Sequence, residues 1–133
     1  MKKIIHVALF TIFVSLLYNP AAHAQSTVGY FGFDPDIVTN YISVSKRKMG
    51  YVSITVDLML DNNADIMVVE HHTPLLRDAL VQILSNEPEN QIKSLTGREA
   101  IRTKCAEKLK SLLKEETGKE IIHDVLFTKY LYH

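Results

Sequence analysis

From Tyr51 to Leu60 every second residue is a branched aliphatic, and the residues that alternate with these between Val52 and Leu58 are polar. Val52, Ile54, Val56, Leu58 and Leu60 fall on one side, and Ser53, Thr55 and Asp57 on the other. Successive side chains of a strand point to opposite faces, so this run is a strand with one buried and one wetter face. Such a strand cannot stand alone and needs both a partner strand and a covering layer. Ile37 to Val44 carries Val38, Thr39, Tyr41 and Ile42 and reads as the antiparallel partner. The polar, glycine-terminated Ser45 to Gly50 joins the two as a hairpin loop.

The covering layer follows directly. Asp61-Asn62-Asn63 breaks the strand and offers helix caps. Ala64, Met67, Val68, His71, Leu75, Ala79 and Ile83 then recur at helical spacing. Pro74 interrupts this stripe, either kinking one helix or starting a second with Thr73 as its cap. Leu75, Leu76, Ala79, Leu80, Ile83 and Leu84 give the second portion a broad apolar face. Ser85 to Glu89, with Pro88, ends it. Thr96-Gly97-Arg98-Glu99 has the form of a capping box, after which Ile101, Cys105, Leu109 and Leu112 form a stripe closed by Gly118. Ile121 to Tyr132 is a last strand. The order strand-strand-helix-helix-strand predicts an α+β domain, a small antiparallel-containing sheet with helices on one face.

Residues 1–24 stand apart from this pattern. Lys2 and Lys3 precede the apolar run Ile4 to Leu17, and Ala22-His23-Ala24 ends in a small-x-small site. That is the layout of a secretory signal peptide, and 14 positions that include His6, Thr11 and Ser15 are short for a membrane span. An uncleaved anchor is the alternative. Cleavage after Ala24 leaves 13 basic and 15 acidic residues and sends the protein to a bacterial periplasm. Residues 25–36, with Gly29, Tyr30, Phe31, Gly32 and Phe33, read as a lead-in loop that lays one or two rings on a domain spanning 37–133.

The polar residues offer little chemistry. The 15 basic and 15 acidic residues of the whole chain balance, which argues against a nucleic-acid binder. Glu70-His71-His72 is the most ligand-like cluster, but adjacent helical residues diverge by about 100°, and His71 on the apolar stripe reads as a packed histidine. No metal or cofactor is expected. Cys105, with His123 as a conceivable base, sits in mid-stripe and reads as a buried small residue. Asp57, opposite the core face, reads as solvated. Nucleophile elbows, phosphate loops and paired catalytic carboxylates are missing from the sequence. Lys46-Arg47-Lys48 is a charged hairpin tip that could meet anionic lipid or an acidic partner.

Four ordered stretches carry a family resemblance. They are Tyr51–Leu58, Pro74-Leu-Leu-Arg77-Asp78-Ala-Leu through Ser85, Leu95-Thr-Gly97-Arg-Glu99, and Asp124-Val-Leu-Phe127-Thr-Lys-Tyr130-Leu. Together they resemble the FliL family of flagellar basal body-associated proteins, from about Asp34 to His133. The resemblance implies a non-enzymatic periplasmic domain beside the flagellar stator, at the inner membrane, that supports rotation and motility. It also implies a stomatin-like fold, a ring-like homo-oligomer, and stator or basal-body proteins as partners. Family members usually keep a transmembrane anchor, whereas this chain reads as a soluble paralogue touching membrane only peripherally or through an uncleaved N-terminus. Arg77 and Asp78, directly after the Pro74 break, are candidate interface charges, with Lys46, Arg47 and Lys48. A small ligand- or metal-binding protein unrelated to motility is the other reading.

Overall fold

The computed structural model describes residues 27–43 and 49–133. The signal-peptide reading of 1–24 and the basic run Lys46–Lys48 lie outside the described residues. The strongest sequence expectation becomes the central strand. β1 (Gly29–Gly32), β2 (Ile37–Tyr41), β3 (Gly50–Leu60) and β4 (Ile122–Tyr132) form one antiparallel sheet. Between β3 and β4 come a 3-10 turn (Asn63–Asp65), α1 (Ile66–His71), α2 (Thr73–Ser85), α3 (Glu89–Lys93) and α4 (Leu95–Thr117). This is the α+β architecture expected, with four additions to the five-element order: β1, the 3-10 turn, α3 and the split of the first helix.

Register explains how four strands make a sheet three strands wide. β4 runs along one edge of β3 from Val52 to Leu60. β1 pairs with residues 57–60 of β3 and β2 with residues 50–54, so both must share the opposite edge. β1 and β2 are thus one broken line, jointed at Asp34-Pro35-Asp36, where the peptide before Pro35 is cis. The Gly29–Gly32 segment, expected as a loop, is a strand because it continues the β2 line.

The alternation of β3 is obeyed to the residue. Val52, Ile54, Val56, Leu58 and Leu60 are buried to 0% exposure and meet the helices. Leu76, Leu80 and Leu84 descend from α2, Ile92 from α3, and Ile101, Cys105, Leu109 and Leu113 from α4. The four α4 positions recur every fourth residue, and the stripe ends on Leu113, leaving the expected Leu112 half-buried. Phe127 packs against this core without being fully buried.

Three local expectations are corrected. α1 ends at His71, and His72 leaves helical geometry (φ −92°, ψ 5°) before Pro74 opens α2. Two helices therefore form, but the cap position falls on His72, not Thr73. The buried face also falls one residue away from the expected stripe: Val69 and Leu76 are buried, while His71, Met67 and Leu75 are exposed. His71 is not a packed histidine. Finally, α4 starts two residues earlier than the Thr96 capping box implies. Ser94 caps it, accepting from the Gly97 amide at 3.0 Å, and Glu99 turns to Arg102 instead. Gly97 is needed there, because a Cβ would stand 2.1 Å from the Gln91 carbonyl oxygen. Gly118 ends α4 in the left-handed region (φ 72°), as expected.

Candidate functional site

Arg77 and Asp78 are neighbours on α2 that point to different tasks. The half-buried Arg77 donates from Nη2 to the Pro35 carbonyl at 2.8 Å. Its guanidinium also lies 5.6 Å from the Phe33 ring centroid, within cation–π range. Arg77 thereby ties α2 to the β1–β2 joint. Asp78 is exposed and accepts from Gln82 Nε2 at 2.7 Å, one turn along the helix.

Beside Arg77 a groove of about 530 Å³ separates β1 from the α1–α2 corner. Phe31, Gly32 and Asp34 line its strand side, and Glu70, Thr73, Pro74 and Arg77 its helix side. Glu70 of α1 and Arg77 of α2, on either side of the His72 break, both line the groove. Phe31, Gly32 and Asp34 were missed as site residues. Their signal was the cluster of rings and glycines just before Pro35, which looks like a loop when no partner strand is known.

The histidine pair separates as helix geometry requires. His71 is exposed, whereas His72 donates from Nδ1 to the Val68 carbonyl at 2.8 Å, and the two rings meet edge-on at 5.0 Å. Among the described residues, no group of three His, Cys, Asp or Glu side chains is placed to hold a metal ion. Cys105 and His123 do not form a nucleophile pair. Burial pushes the Cys105 thiol up to about 12, with nearby Glu87 adding to the effect, so it stays protonated. His123 is exposed and pairs through Nδ1 with Asp61 at 2.9 Å. It lines a second hollow of about 380 Å³ in which Lys114 is tied to Glu120 at 2.7 Å.

Charge is organised elsewhere by Arg102, which bridges α4 to β4. It donates to Glu99 Oε2 at 2.9 Å, Asp124 Oδ1 at 2.8 Å and the Val125 carbonyl at 2.9 Å. Burial alone would raise Asp124, but the Val125 amide and Arg102 outweigh it and hold the carboxyl below its usual range. The Arg102 hydrogen bond holds Glu99 below its usual range as well. On the far side of the sheet, Asp36 accepts from Thr55 Oγ1 at 2.7 Å and Lys129 Nζ at 3.2 Å, and both contacts lower its carboxyl. Asp57 is not merely solvated, since Thr128 Oγ1 donates to it at 2.8 Å. These ties link elements of the fold, and none aligns a nucleophile with a base.

Among the described residues no helix is long and apolar enough to cross a membrane. The family model described as flagellar basal body-associated protein FliL matches residues 30–132. A flagellar protein FliL of Aquifex aeolicus (strain VF5) is similar at 24% identity over 101 residues, which are 76% of this chain and 59% of that protein. The chain thus spans about three-fifths of the curated relative it matches. The matched stretch begins within β1 and ends at the last residue of β4, so it takes in the sheet and every helix described. The chain belongs to the FliL family of flagellar basal body-associated proteins.

Proposed function

We propose that this protein works by binding rather than by catalysis, supporting the flagellar stator and rotation from the periplasmic side of the inner membrane. One observation carries the reading: the family match covers the whole folded unit, strands and helices alike. The arrangement of titratable groups is consistent with it, since Arg102, Asp36 and Arg77 serve to join elements. Partners are stator or basal-body proteins, and self-association into a ring-like assembly belongs to the same reading. Export by a cleaved segment at 1–24 would release residues 25–133, whose sheet takes in β1 from the expected 25–36 lead-in, into the periplasm.

Within this reading Asp78 is a solvent-facing contact charge, Arg77 holds the surface next to it, and Lys46, Arg47 and Lys48 are a second contact point for an acidic or membrane-proximal partner. Deleting the gene and measuring swimming at low and high viscosity tests the assignment. Reduced swimming that worsens under load, restored by the wild-type gene, is the expected result. Unchanged swimming under both loads would remove the motor role.

A further inference from the structure

We infer that the free edge of β1, with the groove beside it, receives an extended lysine- or arginine-bearing segment of a partner protein as an added strand. The inference rests on the reading above only in expecting a protein partner, and it names the surface and the chemistry.

Backbone accounting comes first. The Phe33 amide donates to the Val56 carbonyl at 3.0 Å, in continuation of the register that sets Phe31 opposite Leu58 and Gly32 opposite Asp57. In an antiparallel ladder, residues bonded to one neighbour alternate with residues directed away from it. Gly29, Phe31 and Phe33 therefore face β3, and the N–H and C=O groups of Tyr30 and Gly32 face outward. Among the described residues no strand lies on that side. An unpaired edge of this kind is a template for another chain.

The rest of the perimeter is guarded in part, although Val38 and Asn40 of β2 also turn their backbone groups outward. At the end of β2, Ile42 is bonded on both its amide (to Glu87 O, 3.1 Å) and its carbonyl (from Glu89 N, 2.9 Å). Along β4 the register shifts twice, leaving Thr128 and His123 as extra residues, and Arg102 takes the Val125 carbonyl. Bulges and charges of this kind discourage pairing. β1, like the Val38–Asn40 stretch of β2, has no such device, and of the strands it alone flanks the 530 Å³ groove.

The groove supplies the selectivity. Alternate side chains of an added strand would enter it over Phe31 and Pro74. Asp34 and Glu70 are both exposed, and neither has an ion-pair partner among the described residues. Arg77, the cation of the groove, is already engaged by Pro35 and Phe33. The open charge is therefore acidic, and its complement is a basic side chain.

The test uses the full chain and a labelled synthetic peptide of alternating valine and lysine, with alternating valine and glutamate as control. The valine–lysine peptide should bind and slow hydrogen exchange at the Tyr30 and Gly32 amides, and the control should not. Tyr30→Pro removes one outward donor at an edge position where proline is tolerated, and Glu70→Lys reverses an exposed charge. Each should weaken binding about tenfold with the melting temperature kept. If Tyr30→Pro fails to fold, Glu70→Lys decides alone. Equal binding by the folded variants, or no slowing at Tyr30 and Gly32, overturns the proposal. So does protection of those amides without peptide, whether fixed (the chain's own preceding segment) or rising with protein concentration (a second copy). In cells, a Glu70→Lys strain that swims normally where the deletion strain does not would overturn the groove and leave the flagellar reading standing. A deletion strain that swims normally would remove the flagellar reading, while the peptide measurement still judges the groove.

Discussion

The two faces of β3 are made from one eleven-residue strand, yet they are built for different ends. On the helix side every second residue is a fully buried aliphatic, met by leucines and isoleucines from three helices. On the other side Ser53 pairs with Leu131, Thr55 with Lys129, Asp57 with Leu126 and Met59 with Asp124. There Tyr30, Val38, Tyr51 and Leu131 stay at least two-fifths exposed around the polar band of Asp36, Thr55, Lys129, Asp57 and Thr128. The inner face holds the fold, because burial of apolar area is the large favourable term. The outer face, with its exposed side chains, contributes little to it.

That contrast breaks most readily at Leu80, fully buried on α2 against the sheet. Leu80→Ala should cost about 2–5 kcal/mol in urea unfolding, and an unchanged midpoint would mean that the inner face is not the core. Phe127→Ala, at a half-buried position, should cost less, about 1–3 kcal/mol. Arg102 sharpens the comparison, since it ties the helix layer to β4 through polar contacts alone. Arg102→Met should cost about 1 kcal/mol.

Arg102 also carries a pH signature. Asp124 and Glu99 sit below their usual values in the folded chain, so their contribution is present above the unfolded carboxylate range of about 4. It is lost as the pH falls through the lowered folded values. Stability should therefore drop on acidification, and the drop should be shallower in Arg102→Met, as melting temperatures across an acid series would reveal. The smallest effect belongs to the outer face. Val38→Ser, at 59% exposure, should change stability by less than about 0.5 kcal/mol. A larger loss would mean that the outer face is covered.

The legibility of the chain follows the same division. β3 could be read because one buried face imposes a period of two over eleven residues, and Leu76, Leu80 and Leu84 could be read because a thirteen-residue helix repeats its stripe. Short elements gave no such repetition. β1 holds four residues, two of them glycines, and becomes a strand only because β3 offers it an edge. α1 is six residues long, too short for its sequence to show that the buried face runs through Val69 and leaves His71 exposed. The choice of Ser94 over Thr96 as cap depends on where α3 ends, which is a tertiary matter. The candidate site shares this fate. Arg77 stood out as a charge after a proline, but its partners Phe33 and Pro35 lie about forty residues earlier, and no local pattern joins them.

The central claim, that this FliL-family domain acts at the flagellar base, is tested most directly by where the protein sits. An epitope-tagged copy expressed from its own locus should be imaged in fixed cells together with labelled basal bodies. The account predicts discrete signals coincident with the basal bodies, weakened when the stator proteins are deleted. A uniform signal around cells that carry complete, rotating flagella would contradict it.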